Sequence, residues 1–500
     1  MGAHLPKSQA RNAASGIAGL DDVLNGGFAR GSLFLVEGNP GTGKTTLALR
    51  FLVEGASSGE SCLHISLSET KSELIRSAAS HGWTLEPHIE VFELQPPDSV
   101  LDPKQAQSLL YSSDLELGET ITMVFAAVER AKPSRIVLDS LSEIRLLAQN
   151  SLRYRRQLLA MKHYFAQSGA TVLALDDLTA DANDKTAHSI AHGVIRLEEL
   201  TPDYGAERRR LRVMKYRGQV FRGGFHDFAI KTGGLEVYPR LVSSEHKKGM
   251  PVHSVSSGNA ELDALLGGGL ESGSSTLILG PAGAGKSLLM FQFINAACGR
   301  GDKASMFAFD EELGLMFRRS RGMGIDLEKL VKAGNLRVTQ VDTAELSPGE
   351  FAHRVRKEVT ENGASVVVID SLNGYQQAMP NESHLILHIH ELLQFLNRQG
   401  ATTFLTVAQH GLVGDMKTPV DVTYLADSVI LLRFFEAEAR VRRAMSVVKK
   451  RTGLHENTIR EFSISDKGLA VGPPLVNFHG VLRGIPTYRG PSEPLLDDRS

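Results

Sequence analysis

Short runs of apolar and β-branched residues alternate along this chain with longer stretches whose apolar positions recur at helical spacing. In the first half the short runs fall at 32–37, 62–67, 135–138, 171–175 and 194–197; in the second, at 276–279, 305–309, 366–369, 402–407 and 429–432. Val366-Val367-Val368-Ile369 has no polar alternation, as expected of a strand covered on both faces. Between the runs, 151–167 and 384–398 are long enough for helices. Strands alternating with helices predict an α/β fold with a mainly parallel sheet flanked by helices. Each half then closes on a strand, a turn and a second strand, 194–200 with 208–215 and 429–434 with 442–449. That pattern predicts an antiparallel edge hairpin, twice.

The two halves are copies. Gly16, Leu20 and Asp21 recur as Gly258, Leu262 and Asp263, and Gly26-Gly27 recur as Gly268-Gly269, all at one offset of 242 residues. The register holds without a gap through Lys44 and Lys286. A period of that length is a domain, so this is a tandem duplication and not a short-repeat solenoid. The first domain is placed at 16–242 and the second at 258–488. Residues 243–257, polar and serine-rich, are expected to be a linker, with loose tails at 1–15 and 489–500.

Composition narrows the class. The 500 residues are 42% hydrophobic and 22% charged, the balance of a globular protein with ample core. Fifty-five Lys and Arg against 57 Asp and Glu leave a net charge of −2, so there is no bulk pull toward nucleic acid or an anionic membrane. The two cysteines, Cys62 and Cys298, make no disulfide framework, and no apolar run is long enough for a membrane span. A cytoplasmic protein is expected.

The chemistry lies in two glycine-rich loops. Gly38-Asn39-Pro40-Gly41-Thr42-Gly43-Lys44-Thr45 and Gly280-Pro281-Ala282-Gly283-Ala284-Gly285-Lys286-Ser287 both fit the phosphate-binding P-loop pattern, each between an apolar strand and a helix. Glycines let successive N–H groups turn toward phosphates, and the following helix adds its dipole. Thr46 and Leu288 continue each loop into that helix. Lys44 and Lys286 would reach the terminal phosphates of ATP, and the hydroxyls of Thr45 and Ser287 would meet Mg2+. The metal also needs an acid at the end of a neighbouring strand, and Asp139 and Asp370 fit. Carboxylates follow the next strand as Ser68-Glu69 and Asp310-Glu311. Glu69, Asp310 and Glu311 are candidates to orient an attacking water, or else to cap the next helix.

These residues resemble the KaiC family of RecA-like P-loop ATPases, over about residues 15–488. The resemblance rests on the Gly-Leu-Asp opening, the P-loops, and the acids after the next strand. Leu425-Ala426-Asp427-Ser428-Val429 and Ile459-Arg460-Glu461-Phe462 with Ser465-Asp466-Lys467-Gly468 extend it. It implies two tandem RecA-like domains, a two-tiered homo-hexameric ring with ATP between subunits, and autophosphorylation in the second tier. It also implies that Lys215 with Arg217, and Lys449 with Arg451, reach the nucleotide of the neighbouring subunit. Three departures stand out. The family's Glu-Glu pair begins here with Ser68 and Asp310. Its phosphorylated Ser-Thr pair is replaced by Thr423-Tyr424, leaving Thr423 as the candidate phosphosite. The tail after Tyr488 is short. A relative outside the clock, acting in signalling with a protein partner, is the implied role.

Two other classes are open. A nucleic-acid motor shares this core, and arginines cluster at 153–156, 208–210 and 440–443, although a solvated or intersubunit face accounts for them more simply. An ATP-gated interaction switch with little turnover would suit a first domain that has Ser68. The histidines at 384, 388 and 390 read as packing or surface residues, and Asp176-Asp177 as a loop cap.

Overall fold

A computed structural model describes residues 12–94, 112–178, 185–201, 205–242, 252–309, 311–378, 382–409, 422–483 and 486–490. The chain divides into two compact units, Met1–Arg240 and Leu241–Ser500. Each contains a nine-stranded sheet among the described residues.

In the first unit the strand order is Gly234–Tyr238, His226–Lys231, Arg208–Tyr216, Gly193–Leu200, Leu33–Gly38, Thr171–Asp177, Arg135–Asp139, Cys62–Ser66 and Ile89–Glu93. Pairing is parallel from Gly193–Leu200 to Ile89–Glu93 and antiparallel on the other side. The second unit repeats this arrangement, from Leu336–Gln340 through Lys303–Ala308, Ala364–Asp370, Thr402–Ala408, Ser275–Gly280, Ser428–Ala437, Arg440–Lys450 and Arg460–Ser465 to Gly468–Pro474. The strand before each P-loop is therefore central. All six residues of Leu33–Gly38 and of Ser275–Gly280 are buried, which accounts for the apolar runs 33–36 and 277–279.

Each sheet is covered on both faces by a separate apolar cluster. In the first unit one cluster packs the helix Lys44–Ser57 on the sheet, through Leu47, Phe51 and Leu52. The other carries Ser112–Ala131, Leu141–Ala148 and Ser151–Ser168, through Val124, Ile144 and Leu158. The second unit has the same two layers. Parallel strands put all their C-terminal ends on one edge, where loops from several strands converge.

The expected hairpins are present, and each is followed by two further antiparallel strands that extend the sheet. Two strands were not legible, Ile89–Glu93 and Leu336–Gln340, because each is an edge strand only partly buried. The expected tail and linker also lose residues to structure. Asn12–Ala13 pairs with Phe28–Ala29, and Ser254–Val255 with Leu270–Glu271, so short β-bridges anchor these polar segments.

Candidate functional site

Each P-loop joins a buried central strand to the N-terminus of a helix, Lys44–Ser57 or Lys286–Gly299. The turn is possible because Gly43 takes φ +93° and Gly285 takes φ +107°. A Cβ on Gly43 would also lie 2.8 Å from Ile230 Cδ1. Gly38 is fixed by close approach, since a Cβ there would meet Leu197 O at 2.7 Å. Asn39, Pro40 and Gly41 are exposed at the crest of the first loop, and Ala282 and Gly283 at that of the second. Thr42 turns inward and donates to Asn39 O over 2.8 Å. Pro281, Ala284, Thr46 and Leu288 are buried, and Leu288 belongs to the core cluster and also borders the cavity over the second loop.

The lysines fold back over their loops. Lys44 Nζ donates to Gly38 O and Asn39 O over 2.9 and 3.0 Å, and Lys286 Nζ to Gly280 O and Pro281 O over 2.9 Å each. Burial lowers the pKa of Lys286. Beside each lysine a hydroxyl meets the strand-end acid: Thr45 Oγ1 donates to Asp139 Oδ2 over 3.1 Å, and Ser287 Oγ to Asp370 Oδ2 over 2.8 Å. Residues 94 and 83 positions apart in sequence thus come together in the same way twice. Thr406 also bonds Asp370. Burial, and then the nearby Glu69, push the Asp139 carboxyl up to about 6.

The carboxylates after the next strand stand beside these acids. Leu67 N donates to Asp139 O over 2.6 Å and Phe309 N to Asp370 O over 2.8 Å, which ties each loop to the metal-side strand. Neither Glu69 nor Glu311 is a cap. Thr70 caps Lys71–Ser80 in a capping box with Glu73, and Glu312 caps Leu313–Arg321. Burial raises the pKa of both Glu69 and Glu311, while Arg319, 2.7 Å from Glu311, pulls the latter down. Ser68 is exposed. Asp310 lies outside the described residues.

The hairpin cations gather elsewhere. Lys215 Nζ donates to His188 O and Ala191 O over 2.6 and 2.7 Å, and Arg217 Nη2 to Ser189 O over 2.8 Å. The second unit reproduces this: Lys449 Nζ donates to Thr423 O and Ala426 O over 2.8 and 2.7 Å, and Arg451 Nη2 to Tyr424 O over 2.7 Å. Each Lys-x-Arg therefore clamps the segment leading into the preceding strand, and Thr423 sits in that clamp.

The sequence reading missed several neighbours of the loops. Asp176 and Asp177 are not a loop cap. Both end the strand Thr171–Asp177; Asp176 pairs with Arg145 at 2.5 Å, and Asp177 with Lys44 at 2.7 Å. Glu37, 2% exposed, is held by His188 at 2.6 Å and Arg196 at 2.7 Å. In the second unit Arg319, Met323 and Arg443 line a cavity of about 280 Å³ over Gly283, Gly285, Lys286 and Ser287. The Asp-Asp pair left a trace in the sequence, as two acids closing a buried strand, and Arg443 did so only as part of the 440–443 arginine cluster.

Most hairpin arginines are engaged: Arg209 with Glu199 at 3.0 Å, Arg210 with Glu198 at 2.8 Å, and Arg442 with Glu461 at 3.2 Å. His388 packs inside, with its Nδ1 2.7 Å from the Tyr375 hydroxyl. No described helix is long and apolar enough to cross a membrane.

The KaiC ATPase family matches residues 13–242 and 255–476, both units and nearly the whole chain. The chain belongs to the KaiC family. Among its relatives, the circadian clock protein KaiC3 of Synechocystis is 28% identical over 487 residues, covering 96% of this chain and 95% of the relative. The circadian clock oscillator protein KaiC of Thermostichus vulcanus is 28% identical over 478 residues, 94% and 91% of the two chains. That of Synechococcus elongatus is 27% identical over the same length and shares. As a KaiC-family ATPase the chain binds and hydrolyses nucleotide.

Proposed function

We propose that this KaiC-family protein is a Mg-ATP-dependent ATPase that assembles into a two-tiered hexameric ring in the cytoplasm and serves signalling or regulation through a protein partner. One observation carries the reading: lysine, hydroxyl and strand-end acid converge in the same geometry in both units. Lys44 and Lys286 bind the terminal phosphates. The oxygen pairs Thr45–Asp139 and Ser287–Asp370 are hard donors at a helix N-terminus and fit Mg2+. Bound there, the ion neutralises charge on the β- and γ-phosphate oxygens. Glu69 and Glu311, with Asp310, orient water and accept its proton.

Lys215 and Arg217 in one tier, and Lys449 and Arg451 in the other, complete the site of the adjacent subunit. Their recurrence at one place on both hairpins supports this. The second unit has a further activity if a hydroxyl enters in place of water, and Thr423 is its target. Exposed Ser68 supports slower turnover in the first unit, which then works mainly as an ATP-gated switch. The pairing of hairpin arginines with strand-mate acids weighs against a nucleic-acid motor.

The test is incubation of purified protein with γ-labelled ATP and Mg2+, following released phosphate and protein-bound label together. Steady release without bound label gives an ATPase alone. Label that Thr423→Ala abolishes adds the autokinase. Neither release nor label would sink the proposal. Native mass measurement with and without ATP tests the ring, and a monomer in both conditions would refute it.

A further inference from the structure

An ammonium has three N–H donors. In the first unit Lys44 donates to Gly38 O at 2.9 Å and Asn39 O at 3.0 Å and is ion-paired with Asp177 Oδ1 at 2.7 Å. The side chains of Lys44 and Asp177 are 9% and 30% exposed, so water screens their attraction only in part. The carboxylate is delivered by framework. Asp177 is the last residue of a sheet strand paired opposite Gly38, and its N–H donates to Ser142 Oγ over 3.1 Å.

The second unit repeats the two carbonyl bonds of its lysine, and among the described residues no carboxylate pairs with that lysine. Strand register fixes the correspondence: Gly38 faces Asp177, and Gly280 faces Ala408. Alanine offers no carboxylate. The two units, alike in lysine, hydroxyl and metal-side acid, therefore differ in what holds the lysine.

We propose that Asp177 stands in for a terminal phosphate on Lys44 and makes the first site discriminate against ATP relative to ADP, while the second site, with Ala408, does not. This rests on the reading of both P-loops as ATP sites. The γ-phosphate must take the Lys44 ammonium away from Asp177 and then lie near that carboxylate, a like charge. ADP asks for less, because its terminal phosphate is cradled mainly by the loop N–H groups. One chain then carries two set-points. The first site fills with ATP only when the ATP-to-ADP ratio is high, and the second stays loaded at lower ratios. Asp177 acts through Lys44 and is a specificity-determining residue, not a catalytic one.

The test uses the full chain with Lys286→Ala, so that only the first site reports, and fluorescent ATP and ADP as probes. Asp177→Asn, which keeps shape, and Asp177→Ala are each expected to tighten ATP about fivefold, the worth of roughly 1 kcal/mol of released ion pair. ADP affinity should move less than twofold. The reciprocal swap, Ala408→Asp in a Lys44→Ala chain, should weaken ATP at the second site by a similar factor. Unchanged or weaker ATP binding in both Asp177 variants overturns the proposal. Lys44→Ala separates the two levels. If it abolishes first-site binding while the Asp177 variants gain nothing, only the discrimination fails; if it leaves first-site binding intact, the P-loop reading fails as well.

Discussion

Arg135 Nε donates to Glu60 Oε2 over 2.9 Å from a side chain that is almost wholly out of solvent. The same guanidinium donates to Ala14 O and Phe51 O and lies over the Phe51 ring, so one arginine ties the entry segment, the P-loop helix and the sheet together. The register of the second unit puts Val366 in this place, which shows that the fold tolerates an apolar residue there.

Replacing Arg135 alone is therefore expected to be costly. Arg135→Val should lose about 3 kcal/mol, because Ala14 O and Phe51 O each lose a donor and Glu60 keeps only Arg30 as its partner. The pair also sets an acid limit. Hydrogen bonds from Arg30 and Arg135 outweigh burial and hold Glu60 near 2, down from 4.5. A depressed acid contributes stability that is complete above about pH 4.5 and is lost as pH falls toward 2. Denaturant melts of parent and variant across that range should show a shallower acid slope in Arg135→Val. An unchanged slope would mean that Arg30 alone governs Glu60.

A second acid-sensitive group lies in the same sheet, on the strand Cys62–Ser66 that pairs with Arg135–Asp139. His64 is fully buried, and neither ring nitrogen has a hydrogen-bond partner among the described residues. Burial depresses its pKa from 6.5 to about 4. The folded chain keeps the ring neutral while the unfolded chain takes up a proton below pH 6.5. Stability is thus intact above pH 6.5 and declines as pH falls toward 4, by up to about 3 kcal/mol. His64→Leu should flatten the melting temperature between pH 6.5 and 4 and raise it at the acid end. A parallel loss in parent and variant would remove His64 as the cause.

The tandem α/β architecture was readable because both signals are local: unbroken apolar runs for covered strands, and glycine spacing for each P-loop. Asp139 and Asp370 were readable because each ends such a run. Contacts made across strands were not. Nothing near Asp177 in sequence points to Lys44, 133 positions away; only the pairing of Gly38 with Asp177 brings them together. Arg135 opens a strand and looks like a solvent-facing cation, although its partners arrive from three other segments. Arg443 reaches the second P-loop cavity from a hairpin that was read only as a basic cluster, and Arg319 from the helix Leu313–Arg321, which the sequence reading did not single out.

Close approach at the P-loops gives a contrast within one loop. On Gly38 a Cβ would lie 2.6 Å from Thr42 Oγ1 and 2.7 Å from Leu197 O, a backbone atom that cannot step aside. Gly38→Ala should disrupt the loop and abolish first-site nucleotide retention. On Gly41 a Cβ meets nothing within 4 Å, and the only penalty is its φ of +85°. Gly41→Ala should cost about 1–2 kcal/mol and keep binding within an order of magnitude. Equilibrium nucleotide binding in a Lys286→Ala chain ranks the two, and equal losses would contradict the contact argument.

The hairpin cations yield a prediction that separates action within a chain from action on a neighbour. Lys449 and Arg451 are anchored to carbonyls from Thr423 to Ala426, at the segment that leads into the strand Ser428–Ala437. The proposed head-to-tail ring requires Arg451 of one subunit to act at the P-loop of the next. With the first site silenced by Lys44→Ala, two defective chains can be prepared: one with Lys286→Ala, lacking its loop lysine, and one with Arg451→Ala, lacking its hairpin cation. Each alone should be nearly inactive. Assembled together from monomers in equal amounts, they should recover about a quarter of the parent rate, because a site is complete only where an intact loop meets an intact neighbouring cation. A cation acting on its own nucleotide predicts no recovery at any mixing ratio, since no chain in the mixture carries both groups.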